Sequence, residues 1–115
     1  MKDHSFSQKE NVLLVGVIYG RLNEEKVHEH LDELSLLTQT AGANVISRVT
    51  QKISKINPSF FIGKGKAEEI IKSAKDLKIS TIIFDDELSP SHLKNYNNLS
   101  KEIKIIDRSM LILEI

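Results

Sequence analysis

The sequence predicts an α/β fold: a small doubly wound, mainly parallel sheet of four strands in the order 2-1-3-4, with helices on both faces. Three observations support this prediction. Short β-branched runs alternate with segments of helical periodicity, and such strands are joined by parallel, right-handed crossovers. Val12–Ile18 and Thr81–Phe84 are almost continuously apolar, as expected of central strands covered on both faces. Val45–Gln51 mixes polar and apolar residues, which favours an edge position.

The first half of the chain contains a strand, a helix and a second strand. Residues 1–11 are polar, and we expect them to form a flexible lead-in. After the first strand, Val12–Ile18, Asn23 can cap a helix whose apolar residues recur at intervals of three and four. Gly42 is expected to end this helix in a left-handed conformation, before the second strand, Val45–Gln51.

A loop and a second helix follow. Asn57-Pro58 marks the loop, and Phe60–Ile62 is expected to pair briefly as a strand. The glycine-lysine turn Gly63–Lys66 then opens a helix that we expect to run to about Lys78. The periodicity predicts that five residues of this helix face inward, namely Ala67, Ile70, Ile71, Ala74 and Leu77.

The helix after the third strand, Thr81–Phe84, has an explicit start. Ser89 is a suitable N-cap, and Pro90 suits the first helical position. Ile103–Ile106 is predicted to be the fourth strand, ended by Asp107-Arg108. The residues that follow are apolar and are expected to begin another helix.

Composition excludes several classes of protein. The chain has no cysteine, so disulfide frameworks, thiolate zinc sites and cysteine nucleophiles are excluded. Its net charge is zero, which argues against a general coating of DNA or membranes but allows a local basic patch. No apolar run approaches the ~20 residues of a membrane helix, and the N-terminus lacks the apolar core of a signal peptide. We therefore expect a cytoplasmic protein, and a monomer.

Positive charge is concentrated in one segment of this neutral chain. No acidic residue lies between Glu33 and Glu68, whereas that window holds five cations: Arg48, Lys52, Lys55, Lys64 and Lys66. Such a basic window could bind RNA phosphates. The alternative is an ordinary solvated face.

The predicted strand order places a crevice between the carboxyl ends of strands one and three, where doubly wound sheets bind ligands. It would be lined by residues 19–21, by Asp85 and Asp86, and by the Gly63–Lys66 turn. Backbone amides at Gly63 and Gly65, with two lysines, could hold a phosphate. The carboxylates could ligate magnesium or accept a ribose hydroxyl. Equally, the turn could be structural or contact RNA, since it matches neither a dinucleotide fingerprint nor a P-loop.

No catalytic or metal-binding constellation is found. His28 and His30 are two residues apart on a helix and so do not share a face. These two and the other histidines, His4 and His92, are expected to lie on the surface. No serine or threonine lies in a nucleophile-elbow pattern.

Taken together, five segments resemble the N-terminal domain of the HflX family of ribosome-associated GTPases, over about Val12 to Ile115. The segments are VLLVGV, LLTQTAGANVISRVTQK, NPSFFIGKGKAEEI, IIFDDELSPSHLKN and IKIIDRSMLILEI. The resemblance implies a parallel α/β domain at 12–108, then the truncated start of a helical subdomain at 109–115, followed in the family by a GTPase domain. It implies binding to the large ribosomal subunit and its RNA, GTP and Mg²⁺ in the full-length protein, and ATP binding in some members.

The GTP-binding motifs of the family are missing from this chain, so the GTPase activity is not carried over to it. Three hypotheses remain open. The chain is a non-catalytic ribosome- or RNA-binding domain, a small ATP-binding domain without other cofactors, or a protein-interaction module that orients the missing helical and GTPase domains.

Overall fold

The computed structural model describes residues 9–114, and the Glu114 side chain lies outside that description. Most of the predicted lead-in, residues 1–8, and with it His4, therefore lie outside the described residues, as does Ile115. The elements alternate along the chain: β1 (Asn11–Ile18), α1 (Glu24–Thr40), β2 (Asn44–Lys52), α2 (Lys64–Asp76), β3 (Thr81–Phe84), α3 (Pro90–Leu99), β4 (Lys104–Asp107) and α4 (Arg108–Glu114).

The four strands form one sheet in the order β2-β1-β3-β4, and every pairing is parallel. This confirms the predicted fold class and strand order. Leu14 lies opposite Arg48 of β2 on one side and Ile83 of β3 on the other. The register between β1 and β2 shifts once, after Val12, where Ile46 is the additional residue of the edge strand.

Two apolar clusters cover the two faces of the sheet. Alternate residues of a strand point to opposite faces, so β1 contributes Leu13, Val15 and Val17 to the cluster beneath α2 and α3. It contributes Val12 and Leu14 to the cluster beneath α1 and α4. The helices thus lie in pairs on opposite faces, as the doubly wound prediction requires.

Gly16 allows α1 to approach β1 closely. A Cβ atom at this position would lie 2.8 Å from both Leu31 Cδ1 and Val27 Cγ1. Both side chains belong to α1 and are buried. The glycine therefore sets the distance between the central strand and this helix.

Local end signals behave largely as predicted. The Asn23 side chain accepts a hydrogen bond from the Lys26 amide at the start of α1, and Gly42 has a φ of +100° just after its end. The prediction that Leu77 faces inward is wrong, since this residue is 47% exposed. The helix ends at Asp76, and Lys78 turns the chain with a φ of +58°, so Leu77 lies beyond the last regular turn.

No helix among residues 9–114 combines the length and the apolar character needed to cross a bilayer.

Candidate functional site

The carboxyl end of the sheet brings together side chains that are far apart in the sequence. Asp85 and Asp86 follow β3 directly, and Tyr19 follows β1. The Tyr19 hydroxyl donates a hydrogen bond to Asp86 Oδ2 across 3.2 Å. The structure therefore brings Tyr19 and this carboxylate together where the sequence places the crevice.

Burial raises the pKa of the Asp86 carboxyl above its ordinary value. The Tyr19 hydrogen bond opposes this rise, the neighbouring Asp85 charge adds to it, and His30 lowers it again. Burial, followed by the charge and hydrogen bond of Asp86, raises the pKa of Tyr19. The pair therefore favours a protonated tyrosine that donates to the carboxylate.

Asp85 is held by Arg108, the first residue of α4. Arg108 Nε donates to Asp85 Oδ1 across 2.8 Å, and its Nη2 donates to the His30 carbonyl at the same distance. Arg108 Nη1 also lies 3.7 Å from Glu33 Oε1, and His30 Nδ1 lies 3.8 Å from Asp85 Oδ2. The Arg108 side chain of α4 thus contacts both α1 and Asp85, the residue that follows β3. It therefore pairs with one of the two carboxylates that were considered as magnesium ligands.

The turn at Gly63 opens α2 without a side-chain cap. Gly63 has a φ of +96°, a conformation that favours glycine, and no side chain accepts from the first amides of the helix. Lys64, Gly65 and Lys66 are all exposed. The turn is connected to the crevice through Phe61, whose buried ring packs edge-on against Tyr19 with ring centroids 5.9 Å apart.

The basic window does not form one uniform surface. Arg48 turns toward α1, where its Nη2 donates to Asp32 Oδ1 across 2.9 Å. Lys52 lies four residues further along β2 and so points to the same face of the sheet, whereas α2, which carries Lys64 and Lys66, packs on the opposite face. What remains is a set of four exposed lysines near the carboxyl end of the sheet, for which no carboxylate partner is seen among residues 9–114: Lys52, Lys55, Lys64 and Lys66.

The prediction that His92 lies on the surface is wrong, since this residue is only 6% exposed. Its Nδ1 accepts from the Ser89 amide across 3.1 Å, and its Nε2 lies 2.9 Å from the Asn57 carbonyl oxygen. The capping pattern at Ser89 is visible in the sequence, but the contact with Asn57 depends on tertiary packing. His28 and His30 are both partly exposed.

No group of three or more histidine, cysteine, aspartate or glutamate side chains among residues 9–114 is arranged to hold a metal ion. The Gly63–Lys66 turn is too short to be a P-loop. Neither the turn nor the side chains of residues 9–114 therefore match the motif that the resemblance would require for binding GTP and Mg²⁺.

Comparison with known proteins assigns the chain to a family. The family model described as GTP-binding GTPase N-terminal matches residues 28–115. GTPase HflX of Flavobacterium psychrophilum is 47% identical over 106 residues, which covers 92% of this chain and 25% of that protein. GTPase HflX of Escherichia coli is 34% identical over 106 residues, with 92% of this chain and 24% of that protein covered.

The fold is shared with a solved relative. The crystal structure of SsGBP in complex with GDP matches with a TM-score of 0.65 and 27% sequence identity, covering 93% of this chain and 28% of that one. The chain spans about a quarter of the length of the curated relatives it matches. The match is therefore to one domain of a larger protein.

Proposed function

This chain belongs to the HflX family of GTPases, as its N-terminal domain, and from that membership we propose that it is a non-catalytic RNA-contacting domain that binds the large ribosomal subunit. The whole protein would hydrolyse GTP with residues outside this domain. Family membership points to the ribosome, and the four exposed lysines point to phosphates as the feature recognised.

The observation that carries this proposal is the exposure of Lys52, Lys55, Lys64 and Lys66 without a carboxylate partner among the described residues. A lysine already paired with a carboxylate must give up that interaction before it contacts a phosphate. Arg48, which is bound to Asp32, is therefore assigned a structural role instead of an RNA contact. The Phe61 ring is buried beside Phe84 in the core, so it is not available to stack on an RNA base.

The test is binding of the chain to purified large ribosomal subunits over a range of salt concentrations. The double variant Lys52→Glu with Lys64→Glu is expected to bind more weakly, and the slope of log affinity against log salt should fall by about one unit for each phosphate that the variant no longer neutralises. Lys94→Glu with Lys101→Glu makes the same change of charge on lysines outside the window. Equal weakening in both double variants would reject a specific surface.

A second candidate, an ATP-binding domain, is favoured by the uncapped start of α2 at Gly63. It is disfavoured by the carboxylates, since Arg108 holds Asp85 and Tyr19 holds Asp86. If the domain binds ATP, adding ATP should shift the amide resonances of Gly63 and Gly65, and Lys64→Ala should abolish this shift. Calorimetry without heat at millimolar ATP and magnesium would remove this candidate.

A further inference from the structure

The loop between β2 and α2 is held in place by one face of α3. Three backbone carbonyls of this loop each lie within hydrogen-bond distance of an α3 side chain. His92 Nε2 lies 2.9 Å from Asn57 O, Asn95 Nδ2 donates to Ser59 O across 2.9 Å, and Tyr96 Oη donates to Phe60 O across 2.8 Å. We call these three side chains, His92, Asn95 and Tyr96, the loop clamp. Their spacing of three and four places them on one side of the helix.

The hydrogen bonds of His92 define its protonation state. Nδ1 accepts from the Ser89 amide, so it carries no proton. A carbonyl oxygen can only accept, so the proton must be on Nε2, which donates to Asn57. The ring is therefore neutral in this arrangement, with one nitrogen serving the start of α3 and the other serving the loop.

The loop itself is a closed turn that leaves little freedom to its ends. Asn57 and Phe61 exchange two backbone hydrogen bonds of 2.8 and 2.9 Å, and Asn57 Oδ1 accepts from the amides of Ser59 and Phe60. Phe61 adopts a φ of +69°, which is unfavourable for a residue with a side chain. Its ring packs 5.5 Å from that of His92. Contacts with α3 therefore support a backbone conformation that the loop alone would not favour.

We propose that His92 is a positioning residue for RNA binding, because it holds the 57–62 loop so that Lys55 and Lys64, which flank the loop, face one polyanion. The inference rests on the proposed function. Without the clamp the lysines would keep their charge but lose their fixed separation, and binding would have to order the loop. His92 itself contacts no RNA.

The test compares His92→Met with His92→Gln, two unbranched side chains of similar length, of which only glutamine can donate to the Asn57 carbonyl. In His92→Met, the amides of Asn57 and Phe61 should exchange with solvent about fivefold faster or more, the scale of one lost hydrogen bond. Affinity for large ribosomal subunits should fall by a similar factor, while the salt slope stays unchanged because no lysine is removed. Exchange of the β1 amides should not change, and His92→Gln should recover affinity.

Ser89→Ala is the matched control, since it removes the hydroxyl that caps α3 but leaves the His92 bond to Asn57. It should bind as the wild type does, and weakening equal to that of His92→Met would overturn the inference. Wild-type affinity in His92→Met, with weak binding in the Lys52 and Lys64 double variant, would overturn the inference and leave the proposed function standing. Wild-type binding by that double variant would overturn both. If His92→Met does not fold, unchanged affinity in Asn95→Ala, which removes another member of the clamp, would overturn the inference.

Discussion

Arg108 Nε donates to Asp85 Oδ1 across 2.8 Å and so ties the first residue of α4 to the residue that follows β3. The two side chains are 25% and 14% exposed, which makes this the least exposed of the ion pairs between the described residues. The pair is therefore expected to matter more than its surface counterparts.

Arg108→Met should lower the free energy of unfolding by about 2–3 kcal/mol, because Asp85 would stay largely buried without its partner. Urea denaturation of the single variants and of Asp85→Asn with Arg108→Met would measure the coupling between the two side chains. Lys72→Met is the control. Its pair with Asp76 is exposed on both sides, and its loss should cost less than about 0.5 kcal/mol. Equal losses in the two methionine variants would contradict the structural role of Arg108.

Asp86→Asn should change how stability depends on pH. Burial raises the pKa of Asp86 in the folded chain, so the folded state holds this proton more tightly than the unfolded state. The contribution to stability is present below the unfolded pKa of about 3.8 and is lost as pH rises through the folded pKa. The asparagine variant should not lose stability in this pH range. At pH 7 it should be at least as stable as the wild type, since its amide oxygen can still accept a hydrogen bond from Tyr19.

Thermal unfolding from pH 3 to pH 8 would measure this difference. Glu87→Gln makes the same change of charge at the next, exposed side chain and so separates net charge from the effect of burial. If the stability of Asp86→Asn varied with pH in the same way as that of the wild type, the pKa of the Asp86 carboxyl would have to be the same in the folded and the unfolded chain.

Gly16→Ala should destabilise the chain by about 1–3 kcal/mol, because the added methyl would overlap two buried side chains of α1, Val27 and Leu31. Val27 is β-branched and has little rotamer freedom in a helix. Gly65→Ala is the opposite case, since nothing lies within 4 Å of a Cβ there and the residue is helical. It should gain up to about 1 kcal/mol. Chemical denaturation would show whether the two substitutions differ in sign.

Tyr96→Phe should cost about 1 kcal/mol by leaving the Phe60 carbonyl without its donor, while the packing against Phe60 and Phe84 is kept. Burial raises the pKa of Tyr96 in the folded chain. The folded chain therefore favours the neutral Tyr96 hydroxyl. The free energy of unfolding falls as pH rises above about 10, because the tyrosine of the unfolded chain ionises there. The phenylalanine variant should therefore differ from the wild type in the slope of stability against pH between about pH 9 and 11. Identical alkaline profiles would exclude a role for this hydroxyl.

The features that the sequence predicts correctly are those carried by local patterns. The contrast between the apolar runs of β1 and β3 and the mixed run of β2 predicts the strand order. Asn23 and Ser89 act as caps because each bonds an amide only three residues away. The convergence of Tyr19 and Asp86 follows from strand order alone, since the carboxyl ends of parallel strands share one edge.

The features that escape sequence reasoning depend on how elements pack. Arg108 contacts Asp85 across 23 residues, and His92 contacts Asn57 across 35, so no short pattern shows either pair. The pairing of Arg48 with Asp32 requires that β2 and α1 lie against each other on one face of the sheet. The number of cations in a segment cannot show which of them already have partners.

The position of β1 between β2 and β3 has a consequence for the order in which the chain folds during translation. The first strand to be synthesised cannot complete its hydrogen bonding until Phe84 has left the exit tunnel, because β3 supplies its second neighbour. Before that point one edge of β1 has no partner, and the apolar cluster that contains Leu13, Val15 and Val17 lacks Ile82 and Phe84 of β3. Co-translational folding of this domain is therefore expected to be completed only after β3 has left the tunnel.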